Sequence, residues 1–326
     1  MAPPNVKEVK RRLNILLDNE NLVNTYIRKF GPQIDMKNIK EIKENSRNKN
    51  TGETSTEEGE DPIFTISLIC PVCGAECTGY ELRGKSQQIT FTLFNVPVYK
   101  GAMGFRTVNY NHLAVTVCTR CFFASPDKRD FSSVSKITKQ EVLSQIPTNP
   151  VSSLQEKIGE RKSLASTIVN PEDFFRRPRD TEQSILSYRL SVMRARVEAY
   201  FDMPYSYYKL GSYFLKIANL QKANGENESE ALKEALNYFS ESFSKSDAKS
   251  EEIEYQVIYN IIALHLKAGN QAKANSYISA IDKIKTDKIN ESKQNPGIVT
   301  TTVQKWVEKC KRLWEDRDDP SVFENT

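Results

Sequence analysis

Apolar residues along this chain change their period twice. Over residues 6–30, Val6, Val9, Leu13, Leu16, Val23, Ile27 and Phe30 recur mostly at three- and four-residue steps, which makes one helical stripe. Gly31 and Pro32 stop it, and Ile34, Met36, Ile39 and Ile42 suggest a second short helix, so residues 1–43 are expected to form an amphipathic arm. Residues 44–61 contain no apolar side chain and are expected to be a disordered linker. Between 62 and 131 the period shortens to two. Phe64, Ile66 and Leu68 share one strand face, Ile89, Phe91 and Leu93 a second, and Leu113, Val115 and Val117 a third, with a turn at Gly101 and Gly104. Residues 132–180 read as a connecting segment with short helical stretches near 138–145 and 152–163.

From residue 181 to 318 the helical period returns and persists. Leu186, Leu190, Met193, Val197 and Tyr200 step by four and three. Tyr207, Leu210, Gly211 and Phe214, followed by Ala235, Phe239 and Ser242, have the spacing of one tetratricopeptide-like hairpin. Ile258, Ile261, Ile262 and His265, a turn at Gly269, then Ala274, Ile278 and Ile281 make a second. Val299, Val303, Trp306, Cys310 and Leu313 give a last amphipathic helix that caps the stack, and residues 319–326 form a tail. The expected fold class is α+β and multidomain: a small β-rich zinc ribbon followed by an all-α tetratricopeptide-like helical-hairpin domain, the two folding as separate units.

The candidate chemistry sits at the ends of the strand-like runs. Cys70 and Cys73 form one Cys-x-x-Cys pair, and Cys118 and Cys121 a second. A two-residue gap lets both thiolates of a pair turn toward one point, and two pairs complete the tetrahedron of one structural zinc ion. Gly74 permits the tight reversal after the first pair. Cys77 and Cys310 are read as packed thiols, His112 as without a chemical role, and His265 as a packed, hydrogen-bonded core histidine.

Composition narrows the rest. The chain has 326 residues, 38% of them apolar, six cysteines, two histidines and a formal net charge of +4. No apolar run is long enough to span a bilayer, the start lacks the pattern of a signal peptide, and paired thiols suit a reducing compartment, so a cytoplasmic location is expected. No phosphate loop, nucleophile elbow or His-Glu metal helix occurs in the sequence. The segment 62–131 carries 7 Lys and Arg against 4 Asp and Glu, and four thiolates on a divalent ion bring it near neutrality, which disfavours nucleic acid. The arm is basic and has two readings: packed on the protein's own body, the favoured one, or laid on a membrane or partner.

Cys-Pro-Val-Cys-Gly at 70–74, the approach from Asn109 to Val117, and Cys118 to Ala124 resemble an uncharacterised bacterial family that joins an N-terminal zinc ribbon to a C-terminal tetratricopeptide-like helical region. The resemblance implies metal binding and no assigned activity. The chain departs from the family pattern at Cys77, Phe122 and Tyr110, none of them a ligand. The reading that follows is a non-enzymatic adaptor for a protein or peptide partner. A nucleic-acid-associated regulator using Arg176–Arg179 and a thiol redox sensor using Cys77 are the alternatives. If the first helix of each hairpin lines a concave side, Tyr208, Lys209, Tyr213, Lys216, Tyr255, Gln256 and Asn260 are the candidates for a groove. A short groove of this kind suits micromolar binding of a peptide, about 8 kcal/mol.

Overall fold

The computed structural model describes residues 59–134, 140–248 and 250–324. The expected arm and all but the last three residues of the expected linker lie outside them. β1 (Ile63–Ile69) pairs antiparallel with β2 (Glu76–Leu82), and Leu68 faces Cys77 across the pair. β2 has no apolar alternation, so periodicity does not find it. Gly79 in β2 lies against Thr116, where an added Cβ would stand 2.8 Å from the hydroxyl oxygen. β3 (Gln87–Phe91) pairs only with β4 (Pro97–Gly101). The run from Leu113 to Val117 is a strand only at its end. A 3-10 turn covers Tyr110–His112, and β5 (Thr116–Val117) pairs with β6 (Ala124–Ser125). β7 (Ser133–Val134) pairs with β8 (Glu141–Val142), so 140–145 is not helical as expected.

Three short helices follow, α1 (Thr148–Glu156), α2 (Ile158–Leu164) and α3 (Pro171–Phe174). The long helices are α4 (Thr181–Tyr200), α5 (Ser206–Ala223), α6 (Ser229–Ser244), α7 (Glu251–Lys267), α8 (Gln271–Gln294) and α9 (Thr301–Glu315), with a final turn of helix α10 (Pro320–Glu324). Asp180 opens α4 with a capping box: its carboxylate accepts from Gln183 N–H, and the Gln183 side chain accepts from Asp180 N–H. Gly211 on α5 leaves the space that the Phe239 ring of α6 occupies, since a Cβ there would meet that ring at 2.8 Å. Gly269, at φ +72°, turns the chain from α7 into α8.

The β-rich part and the helices share buried clusters, which replaces the expectation of two separate units. Val115, Val117, Phe122 and Ala124 pack with Tyr188, Leu190, Leu210 and Ile217 of α4 and α5. Phe94 and Val96, from the turn between β3 and β4, pack with Leu215, Phe239 and Ile258. The cysteine cluster packs with Leu154 of α1 and Val197 of α4. Residues 55–326 accordingly form one compact unit. A buried charge network crosses the same boundary. Arg194 of α4 pairs with Asp130 and with Glu198, Lys209 of α5 pairs with Glu198 at 2.9 Å, and Ser125 donates to Asp130. Two acids and two bases cancel there. Burial works against the Arg194 charge, yet Tyr213, Glu198 and Asp130 together hold its pKa above the ordinary value. A fragment covering 165–326 is therefore expected to lose cooperative melting, because removing its partners exposes the faces of Tyr188, Leu215 and Ile258. A melt as sharp as that of the full chain would show that the shared clusters are dispensable.

Candidate metal centre

The two Cys-x-x-Cys pairs are carried on two equivalent turns. In the first, Cys70 N–H donates to Ala75 O and Gly74 N–H donates to Cys70 O, both at 2.9 Å, with Gly74 at φ +69°. In the second, Cys118 N–H donates to Phe123 O and Phe122 N–H to Cys118 O, both at 2.8 Å, with Phe122 at φ +56°. Phe122 thus occupies the left-handed conformation that Gly74 adopts freely, at a cost of order 1 kcal/mol. Its ring offsets that cost, lying edge-on to Phe175 at 6.3 Å inside the α4–α5 cluster.

These turns bring Cys70, Cys73, Cys118 and Cys121 together, with all four sulfurs within 4.8 Å of one another. The Cys70–Cys121 and Cys73–Cys118 sulfurs are each 3.5 Å apart. Sulfurs at 2.3 Å from a tetrahedral zinc stand about 3.8 Å from one another, so both the spacing and the all-sulfur donor set fit that ion. Three of the four residues are buried and Cys73 is partly so. The set leaves no open coordination position. Cys77 lies beside the site with its thiol directed to Ala75 O at 3.6 Å, and Cys310 is buried in α9.

A second layer of contacts holds the turns in place, and sequence periodicity misses it. Arg161 of α2 is 1% exposed; its Nε donates to Cys121 O at 3.0 Å and a terminal nitrogen donates to Leu154 O at 2.8 Å. It forms no ion pair among the described residues, so its charge is met by backbone carbonyls, one of them on Cys121. Gln155 of α1 donates to Val72 O at 3.0 Å, inside the first pair. The only sequence trace of this layer is a pair of polar residues on short helices.

The seven groove candidates are placed otherwise than the concave-side reading expects, because this chain fills the space itself. The turn Thr92–Val96 enters beside α5 and α7. Phe94 and Val96 are buried against Leu215, Ala218 and Leu232, leaving a cavity of only about 10 Å³. Asn95 donates to Asn260 Oδ1 at 2.8 Å, and Asn260 is 1% exposed. Tyr213 is buried and accepts from Arg194 at 2.9 Å, and Lys209 is held by Glu198. Tyr255 is 1% exposed, while Tyr208 donates to Gln256 at 3.2 Å. Lys216 lies 5.5 Å above the Tyr188 ring. None of the seven is exposed. The arginine cluster is spent in the same way. Arg177 forks onto Asp61, Arg179 is buried against Tyr80 and Phe175 with burial pushing its pKa down to about 10, and only Arg176 is exposed. His112 is buried within 2.9 Å of Ser184 Oγ.

A four-cysteine cluster on two knuckles, seated against a helical array, defines a protein of α+β class with a candidate metal site. The chain belongs to the family described as an uncharacterized protein conserved in bacteria, DUF2225, whose model matches residues 63–306. No curated protein and no solved structure matches the chain.

Serine at any of Cys70, Cys73, Cys118 or Cys121 is expected to abolish metal content, whereas Cys77→Ser and Cys310→Ser keep it in full by elemental analysis. Arg161→Met is expected to lower metal affinity about tenfold in competition with a chromophoric chelator. Retained metal in a Cys121→Ser protein, or none in wild type, would refute the site. Lys216 supplies a separate test. Burial depresses its pKa from 10.5 to about 8, so between these values the unfolded chain binds more protons and stability rises with pH. Lys216→Met is expected to stabilise the protein below pH 8, and the gain over wild type should shrink as the pH approaches 10.5. A gain independent of pH across that window would mean the ammonium is not desolvated.

Proposed function

We propose that the four cysteines hold one structural zinc ion and that the protein is a non-enzymatic adaptor whose β3–β4 hairpin receives a protein partner. The observation that carries this reading is the exposure of large apolar side chains on and next to that hairpin: Ile89 48%, Phe91 65%, Val98 47% and Met103 76%. Ile89 and Phe91 stand side by side on one face, which chains that remain free in water rarely leave exposed, while Val98, opposite Thr90, lies on the other face. No further strand pairs with the hairpin among the described residues; on the β4 side Gly101 N–H donates to Thr107 Oγ1 and Pro97 O accepts from Asn111, so the β3 edge is the one whose backbone groups suit an added strand. A two-stranded ribbon is marginal by itself. Here its turn is anchored by Phe94 and Val96, while Gln87 at its base donates to Arg106 O at 2.8 Å. The hairpin is thereby presented as a rigid element, which lowers the entropy lost on binding. A partner supplying an extended segment with alternating apolar residues would match Ile89 and Phe91, which project from the same face. In this reading the helices are tetratricopeptide-like and serve as a scaffold, holding the hairpin rather than forming an open groove. A closed four-thiolate set suits folding rather than catalysis.

The test is capture from native lysate, identification of the partner, and binding of the purified pair. Threonine at both Ile89 and Phe91 keeps strand propensity and is expected to weaken binding at least about tenfold at unchanged melting temperature. Undiminished affinity in that double variant would remove the hairpin as the partner surface. Recovery of nucleic acid released by salt would favour the alternative reading.

A further inference from the structure

A cleft of about 370 Å³ opens between α6, α7 and α8, with Asn237, Ser240, His265, Lys273, Ser276 and Tyr277 as its polar lining. No carboxylate lines it. The two serine hydroxyls are spent on their own helices, Ser240 donating to Leu236 O and Ser276 to Ala272 O. The donors left over are the Asn237 amide, the His265 imidazole, the Lys273 ammonium and the Tyr277 hydroxyl, none with a hydrogen-bond or ion-pair partner for its side chain among the described residues.

His265 is the informative member. It is only 7% exposed, and its ring stacks on Tyr277 at 5.9 Å and 27°. The expected core hydrogen bond is absent among the described residues. Its ring nitrogens are not among the sealed, unpartnered atoms of the interior, so they open on the cleft. The protein gives this imidazole no partner among the described residues, so its hydrogen-bonding capacity is left to water or to a ligand in the cleft. Burial and then the Lys273 charge hold its pKa below the ordinary value, so at neutral pH it offers one neutral N–H.

We propose that this cleft is a binding site for a carboxylate, which takes its hydrogen bonds from His265, Asn237 and Tyr277 and its charge complement from Lys273. One fixed positive charge with neutral donors balances a monoanion. A phosphate near neutrality carries about 1.5 to 2 charges and would leave part of its charge uncompensated. The cavity is larger than a carboxylate group alone, so the acid carries further atoms, either as a free small acid or as the end of a polypeptide. The site does not rest on the adaptor reading, since no hairpin residue lines it.

The chain contains two histidines, so the two imidazole Cε1–H resonances of the full-length, metal-loaded, untagged protein report on it directly. Acetate, N-acetyl-dialanine, inorganic phosphate and chloride are titrated at matched ionic strength. A saturable shift of the His265 signal with the two carboxylates, with His112 unmoved, is the expected result. Tighter binding of N-acetyl-dialanine assigns the site to a chain terminus, and equal binding assigns it to a free acid. Lys273→Gln, at an exposed position, is expected to weaken acetate about two- to fivefold. Tyr277→Phe keeps the ring stack and should weaken it as well. The proposal fails if chloride shifts His265 as acetate does, if phosphate binds more tightly than either carboxylate, if no shift saturates, or if Lys273→Gln binds acetate as wild type does.

Discussion

Four sulfurs gathered within 4.8 Å tie together two turns that lie forty-four residues apart, and this closure dictates the course of the β-rich region. The intervening chain must leave the site and return to it, at a closure entropy that grows only slowly with its length. It leaves along β2, runs out as the β3–β4 hairpin and returns through the turn at Tyr110. An excursion of that length would be loose if the cysteines were its only tether. A second tether exists at its far end, where Phe94 and Val96 are buried among helical side chains and Asn95 is bonded to Asn260. The hairpin is therefore fixed at both ends, and its middle is the part left to solvent.

Charge follows the same logic. Three arginines are almost fully buried, and each is compensated differently. Arg194 has two carboxylates. Arg179 has the carbonyls of Phe175 and Val115 and the rings of Tyr80 and Phe175. Arg161 has only carbonyls, one of them on a cysteine of the metal site. A divalent ion held by the four thiolates would carry a net double negative charge, and the Arg161 guanidinium, bonded to the Cys121 carbonyl, would lower the cost of enclosing it. The short helices α1 and α2 are thus part of the centre, although they follow it in sequence by some thirty residues.

Legibility in the sequence tracked how local each feature is. The four ligands were readable because Cys-x-x-Cys is a local geometry, and the long helices because their periodic faces repeat within one element. The hairpin misled because Ile89, Phe91 and Leu93 alternate like a strand with one buried face, yet Ile89 and Phe91 face water and burial begins with the turn. β2 was invisible because Gly79 and Cys77 stand where a strand ordinarily places β-branched or aromatic residues. The groove candidates misled for a nonlocal reason. Asn260 stands at a position that faces a concavity in an open helical stack, and only the fold reveals that a segment more than one hundred residues earlier fills it, while Tyr213 is covered by Tyr188 and Arg194 of α4. The buried charge network escaped because Arg194 and Glu198 make an ordinary i, i+4 pair in sequence, and the carboxylate of Asp130 that completes it lies on another element.

Self-filling of the helical stack also bears on where ligands can bind. Lys267 of α7 lies 5.8 Å above the Phe94 ring and contributes to the wall around the inserted turn. His265 is two residues earlier, about 200° around the same helix, and lines the cleft with α6 and α8. One helix therefore separates the inserted turn from the cleft. A carboxylate could enter beside His265 without expelling Phe94 or breaking the Asn95–Asn260 bond, so occupancy there need not disturb the anchor of the hairpin. Any coupling between the two would have to pass through movement of α7, whose apolar residues from Val257 to Leu266 are all buried. A helix packed on all sides resists such displacement, because each shift opens voids on one side and clashes on the other. The physical expectation is that the cleft and the hairpin act as independent surfaces on a common scaffold.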